Sequence, residues 1–322
     1  MRTLASVLKI ALLAPAYGLV LALAWLFRRP GRAVMILGAL GLTAVVWQLS
    51  GCHRPLRVGT FNIRQFGEAK TDMEKLTSLV VSLDTDILAV QEVQSETKLR
   101  ELAGRVSRGG RAYRVALSRC GGKSAMQLGY LYDEARVKLL STREYPELDP
   151  TGGGQCDSGE RPGLLGVFSD GSRTLHVLTM HLTRGGERGD FAKRKAQWGR
   201  AHAIARQLRT EGATSVVLVG DANSAGYLTD DNGERSFLDG AAREAGMSVV
   251  TSSLRCSEYW REKEGQYSPS LLDHAVASAG LVEVESVRVH GFCAALRCAS
   301  SPTPPDDFDS ISDHCPVTFD LR

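Results

Sequence analysis

The chain has 322 residues, of which 43% are hydrophobic and 23% charged, enough apolar material to bury a large core and too much for a disordered chain. Its formal charge is +3, yet Arg2, Lys9, Arg28, Arg29 and Arg32 all precede Cys52 in a stretch without Asp or Glu, so the remainder is slightly acidic. That balance argues against tight, unassisted binding to nucleic acid, because such binding rests on many Lys and Arg neutralising phosphates, but it does not exclude a nuclease.

The first fifty-two residues read as membrane chemistry. Thr3 to Phe27 and Ala33 to Leu49 are apolar, separated by Arg28-Arg29-Pro30-Gly31-Arg32, and each approaches the roughly 17–25 residues that cross a bilayer. Arginines between two spans belong in the cytoplasm, which puts the rest of the chain outside it. The second stretch ends in Leu49-Ser50-Gly51-Cys52, which resembles the bacterial lipoprotein processing box, whose Cys is lipidated. Residues 1–52 are therefore expected to anchor an exported protein, through a lipidated Cys52 or a retained helical hairpin. A buried core helix would need a polar face that these stretches lack.

Residues 53–322 show no repeat and no linker and are expected to form one domain. Arg57 to Asn62 reads as a strand, Asp72 to Leu83 as a helix, and Ile87 to Gln91 as a buried strand. Further strands are expected at Gly129 to Tyr132, Leu164 to Ser169, Leu175 to His181, Val216 to Gly220, Leu272 to Ala277 and His314 to Asp320. Ala192 to Leu208 is the clearest helix, with Ala196, Ala201, Ile204 and Leu208 on one side. Segments 141–162 and 299–310, rich in Gly, Pro and Asp, read as loops.

Cys120, Cys156, Cys256, Cys293, Cys298 and Cys315 form an even set after Cys52, compatible with disulfides in an oxidising compartment. The expected pairs are Cys120 with Cys156, and Cys256 with Cys293 or Cys298, leaving Cys315 buried and free. A zinc site from Cys256, Cys293 and Cys298 is the rival reading, although no close Cys-x-x-Cys pair stands beside a His cluster.

Strand after strand ends in a residue able to hold a metal or contact a phosphate. Asn62 follows Thr60-Phe61, Glu92 follows Ile87 to Gln91, and His181 ends Val177 to Met180. Asp221 and Asn223 follow Val216 to Gly220, Asp273 enters a strand, and Asp313-His314 precedes the last one. Taken singly, such residues are commonly turn formers or helix caps, and Asp273-His274 could be surface polarity. Taken together they suit a cleft, because strand ends in layered α/β folds converge.

The segments TFNIRQFG, ILAVQEV, TMHLTRGG, VGDANS, SLLDHAVAS and ISDHCPV resemble, in order, the motifs of the endonuclease/exonuclease/phosphatase superfamily, which includes pancreatic-type deoxyribonuclease and the abasic-site endonucleases. The resemblance runs from about Leu56 to the carboxyl terminus. It implies an α/β fold, a four-layer α/β/β/α sandwich of two mixed sheets flanked by helices, and hydrolysis of a phosphate ester with Mg²⁺ or Mn²⁺ held by oxygen ligands. By the same resemblance Glu92 is the prime metal ligand, with Asn62 beside it and Asp313 as a further candidate. Asp221 would orient or deprotonate the attacking water, and Asn223 and His181 would contact the scissile phosphate. His314 would act as acid/base or transition-state donor, oriented by Asp273. Arg161 sits before a strand much as a phosphate-contacting Arg does in deoxyribonuclease-like members. Those enzymes also pair the first His with an acidic residue near the strand that here reads Met126-Gln127-Leu128-Gly129-Tyr130, where this chain offers Gln127 or Met126.

Two basic groups, Arg105, Arg108, Arg111, Arg114 and Arg119, then Arg184, Arg188, Lys193, Arg194, Lys195 and Arg200, read either as a track for a nucleic-acid backbone or as ordinary solvated faces. No base-stacking stretch is visible. The first expectation is an exported, membrane-tethered nuclease acting as a monomer on nucleic acid. The second is a phosphatase or phosphodiesterase acting on lipid head groups or small phosphate esters. The third is a non-enzymatic binding module, disfavoured by the full set of catalytic residue types.

Overall fold

The computed structural model describes residues 54–68, 70–149, 156 and 159–322, and the two apolar stretches with Cys52 lie outside them. Among the described residues no helix is long and apolar enough to cross a membrane.

Two six-stranded sheets carry the fold. The first runs β13 (Val282–Val289), β14 (Val317–Leu321), β1 (Arg57–Phe66), β2 (Ile87–Val93), β4 (Gln127–Asp133) and β3 (Tyr113–Leu117). The second runs β5 (Lys138–Tyr145), β6 (Gly163–Ser169), β7 (Thr174–His181), β8 (Ser215–Asp221), β12 (Asp273–Ser278) and β9 (Met247–Val249). A separate hairpin pairs β10 (Glu258–Arg261) with β11 (Tyr267–Ser270). Both sheets are mixed, since β1 with β2 and β7 with β8 are parallel among otherwise antiparallel neighbours.

Alternation along the strands sorts side chains into layers. Val58 of β1, Ile87 and Ala89 of β2, Val177 of β7, Val217 and Val219 of β8, and Ala275 and Ala277 of β12 meet in one buried cluster between the sheets. The intervening Phe61, Ile63, Leu88 and Val90 turn outward onto α1 (Met73–Leu83) and α2 (Glu96–Val106). On the other side, Leu178, Met180, Val216 and Leu218 pack on Trp198, Ala201 and Ile204 of α3 (Arg188–Thr210) and on Leu238 and Ala242 of α4 (Glu234–Glu244). The result is the expected four-layer arrangement. Tyr130 and Gln91 tie the sheets together by hydrogen bonds, the Tyr130 hydroxyl lying 2.6 Å from the carbonyls of Leu164 and Val177, and the Gln91 amide donating to Thr179 Oγ1.

Every strand and helix expected after Cys52 forms, with small changes of length. The Asp72 side chain accepts from the backbone of Glu74 and Lys75 and so caps α1 rather than belonging to it. The segment 141–162 corrects the loop reading, because residues up to Tyr145 complete β5, an edge strand paired with β6. The bonding of Cys256 to Cys298, together with Cys120 to Cys156 and Cys293 to Cys315, removes the zinc alternative and corrects the reading of Cys315 as free.

One buried ion pair supports two loops that lead from strand ends. Arg194 on α3 and Glu234 on α4 are 2% and 3% exposed and meet at 2.6 Å. Arg194 Nη1 also donates to the carbonyls of Thr183 and Gly185, just beyond His181, and Glu234 accepts from Gly226 N, just beyond Asn223. Replacing Arg194 with Met leaves the buried Glu234 carboxylate without its counter-charge and the Thr183 and Gly185 carbonyls without the Arg194 donor. Thermal or denaturant unfolding should show a loss of about 3–5 kcal/mol, whereas a loss below about 1 kcal/mol would contradict the role of this pair.

Candidate active site

The inward-facing row of each sheet ends in polar groups. β7, β8 and β12 are in register so that His181, Asp221 and Asp273 stand abreast. In the first sheet Asn62 of β1 stands beside Gln91 of β2. By simple alternation Glu92, one residue past Gln91, would point outward to the helices. Its φ of 61° and the register shifts of β2 against both neighbours turn it back toward the cleft. Gly220 makes the companion adjustment in β8, with φ of 143° and a position where a Cβ would fall 2.0 Å from the Met180 carbonyl.

Asp221 Oδ2 is the meeting point. Asn62 Nδ2 donates to it at 2.9 Å and His181 Nε2 lies 3.2 Å away, with His314 Nε2 at 3.7 Å. Asn62 Nδ2 is also 3.2 Å from Glu92 Oε1, which lies 3.9 Å from His181 Nε2. Glu92 Oε2 accepts from Gln65 N. Asp273 is 1% exposed and its Oδ2 sits 2.9 Å from His314 Nδ1. The loop before β14 is fastened by Ser312 Oγ, which donates to the Asn62 carbonyl and accepts from His314 N. Asn223 is held by its backbone N–H on Asp221 Oδ1 and by its amide on the Leu182 carbonyl.

Asp313 and Arg161 flank this group. The Asp313 carboxylate lies 3.8 Å from Arg64 Nε, and it belongs to neither of two clusters of potential metal ligands, Glu92 with His181 and Asp221, and Asp221 with Asp273 and His314. The ligand atoms of each cluster lie within 4.8 Å of one another. Glu92 and Asp221 offer hard carboxylate oxygens suited to Mg²⁺ or Mn²⁺. The Asn62 amide is fixed beside them, its Oδ1 accepting from Arg64 N and its Nδ2 facing both carboxylates, so it is the carboxylate oxygens of this group that fit a divalent cation. Arg161 is nine-tenths buried and donates to the His181 carbonyl at 3.2 Å.

The two site imidazoles are driven in opposite directions. Burial, reinforced by the Arg161 guanidinium and His314, holds His181 well below the usual histidine range and therefore neutral. Burial would lower His314 as well, but the Asp273 and Asp221 carboxylates outweigh it and raise His314 well above that range. Burial pushes the Asp221 carboxyl up, against the pull of His314. Such divergence marks sites that move protons.

The sequence reading missed Glu258. It is 6% exposed on β10, bridged through its backbone to His314, and burial, with the nearby carboxylates of Asp313, Asp221 and Asp273, pushes it up to about 8. An acidic residue opening a short strand was the available signal. The acidic partner expected for the first histidine is absent in a different way from that anticipated. Gln127 turns away to the Ser118 carbonyl, Met126 packs on Arg161, and His181 Nδ1 has no partner among the described residues. His274 is buried, not surface polarity, with its Nδ1 3.0 Å from Thr251 Oγ1.

The endonuclease/exonuclease/phosphatase family profile matches residues 59–314, and the chain belongs to that family of metal-dependent phosphoesterases. Similar solved structures include truncated Caenorhabditis elegans TDP2, at 16% identity and a TM-score of 0.56, covering 83% of this chain and 97% of that one. The human nocturnin catalytic domain with bound sulfate is 15% identical, with a TM-score of 0.56 and coverage of 83% and 94%. A mannosyl-6-phosphatase of Bacteroides thetaiotaomicron is 14% identical, with a TM-score of 0.54 and coverage of 83% and 99%. No curated protein matches the sequence.

Asp273→Asn removes the charge that raises His314 while keeping its hydrogen-bonding shape. kcat/KM should fall by about 10²–10⁴-fold, and the alkaline limb of its pH profile should move to lower pH as His314 loses its proton sooner. An unmoved alkaline limb would separate His314 from Asp273 in function.

Proposed function

We propose that the protein, exported and tethered by residues 1–52, hydrolyses phosphate esters of compact substrates with Mg²⁺ or Mn²⁺ held by Glu92 at the Asp221 group, Asn62 and Asp313 standing beside it. The bound cation supplies neutralisation of phosphate oxygens and a more acidic water. Asp221 orients and accepts a proton from the attacking water, at a position reached by both imidazoles. His314, kept charged by Asp273, donates to the phosphate oxygens, and Asn223 and neutral His181 add further donors. The disulfides support an oxidising compartment.

The observation that carries the choice of a compact substrate is where the basic residues go. Arg105 pairs with Glu101, Arg114 with Glu134, and Arg111 with Asp84, Asp86 and Asp133. Beyond His181, Arg194 is buried on Glu234 and Arg200 donates to the carbonyls of Glu147 and Asp149. Arg111, Arg194 and Arg200 are thus tied into the fold, and Arg105 and Arg114 are matched by neighbouring surface carboxylates, which weakens the case for a long phosphate track. A nuclease is the second reading, favoured by Trp260, which is 49% exposed two residues along β10 from Glu258 and offers a face for a base.

Full-length protein with Mn²⁺ should release phosphate from sugar phosphates or p-nitrophenyl phosphate. Chelation should abolish turnover, and Asp221→Ala should lower it by at least about 10³-fold. Nicking of plasmid or oligonucleotide, lost in Asp221→Ala, with all small esters and lipid head groups untouched would overturn the compact-substrate reading.

A further inference from the structure

Glu258 is a buried acid to which the hydrolytic mechanism gives no task. It opens β10 directly opposite His314, and two backbone bonds frame the pair, Tyr259 N to the Asp313 carbonyl at 3.0 Å and Cys315 N to the Ser257 carbonyl at 2.7 Å. Both bonds belong to the flanking residues, so Glu258 and His314 form the non-hydrogen-bonded kind of antiparallel pair. In such a pair the Cα atoms lie only about 4.5 Å apart and the two side chains stand on one face as close neighbours. Asp273 takes Nδ1 of the imidazole at 2.9 Å, and Glu258 comes alongside the ring from the facing strand.

The start of the hairpin is anchored to both residues of the Asp273–His314 pair. Besides its carbonyl bond to Cys315, Ser257 accepts at Oγ from Asp273 N at 2.9 Å and from Leu272 N at 3.1 Å. Tyr259, on the opposite face of the strand, is buried and its hydroxyl donates to the Ala299 carbonyl, while Cys256 is bonded to Cys298. A side chain on so firmly held a backbone is able to keep its neighbour within the roughly 0.5 Å that a catalytic group tolerates. The Glu258 carboxyl itself is poorly served, because its Oε2 is buried with no partner among the described residues. Burying an acid in that way is unfavourable, yet the fold places one beside the imidazole whose orientation matters most. Asp221, Asp273 and Asp313 already stand around His314, so a fourth negative charge is unwelcome there, and burial favours the acid form of Glu258.

We propose that Glu258 is a positioning residue for the hydrolysis. It closes the flank of His314 on the hairpin side, so that Asp273 fixes the tautomer and Glu258 fixes the tilt of the ring that presents Nε2 to the phosphate. The inference rests on the phosphoesterase reading and adds to it a residue that touches no substrate. Glu258 acts through the length and shape of its side chain, which separates its role from that of Asp273, whose charge is what His314 requires.

Two variants set length against charge. Glu258→Gln keeps the length and loses the acid, whereas Glu258→Asp keeps the acid and draws it back by one methylene. Kinetics are measured on the full-length protein with Mn²⁺ and p-nitrophenyl phosphate, or another ester that the natural chain turns over. Glu258→Gln should retain at least about a third of kcat. Glu258→Asp should lose about 10–100-fold in kcat with KM changed less than about threefold, because a displacement of about 1 Å is enough for such a loss. The ¹⁵N shifts of His314 in histidine-labelled protein, assigned by their loss in His314→Gln, read the same geometry without turnover. They should stay in place in Glu258→Gln and move in Glu258→Asp. Full activity of Glu258→Asp, a loss in Glu258→Gln as large as in Glu258→Asp, or a loss carried by KM overturns the positioning role. A natural chain that hydrolyses no ester removes the reaction reading, and the ¹⁵N shifts then decide the proposal alone: the contrast between the two variants upholds it, and shifts that move equally or not at all overturn it.

Discussion

Asp221 is 2% exposed, and a carboxylate removed from water keeps its charge only among groups that compensate it. The compensation comes from both halves of the molecule. Asn62 reaches it from the first sheet, His181 from the neighbouring strand of the second, and His314 from the loop before the last strand. His314 in turn needs Asp273 to remain charged. The packing of the two sheets and the electrostatics of the cleft are thus one problem, and the dry cluster between the sheets keeps the polar row in register.

Catalytic use of that row demands departures from regular structure. A regular β2 would send Glu92 to the helical side, where an ionised carboxylate has no place among Leu88, Val90 and their partners. The left-handed backbone at Glu92 and the close approach of Gly220 to Met180 are local strains, maintained by the surrounding packing and located where the chemistry is. The Arg194–Glu234 pair belongs to the same design, since it holds the chain just past His181 and just past Asn223.

The strands that carry the site were legible because they are buried on both faces and read as apolar runs: Ile87 to Val90 and Val216 to Val219 leave no other assignment. The ordered polar residues at their ends were legible for the same reason, as each interrupts a hydrophobic run. What escaped was structure without such contrast. β5 is an edge strand with exposed, mixed residues from Lys138 to Glu144, so its Gly- and Pro-rich continuation dominated the pattern. Glu258 escaped because its burial depends on the hairpin folding over His314, a contact between distant segments. The partner of Cys315 was hidden likewise, since Cys293 reaches it only through the tertiary fold. The basic residues illustrate the opposite error: their clustering along the sequence suggested a surface, and folding turned Arg111 and Arg194 into internal ties.

The central claim is that Glu92, swung inward by its backbone, holds a divalent cation against the Asp221 group. Titration of Mn²⁺ into full-length protein, followed by electron paramagnetic resonance, tests it without reference to any substrate. The account predicts saturable uptake by the natural chain and at least about tenfold weaker uptake by Glu92→Gln, a loss of about 1.4 kcal/mol. Equal uptake by the two proteins would contradict it.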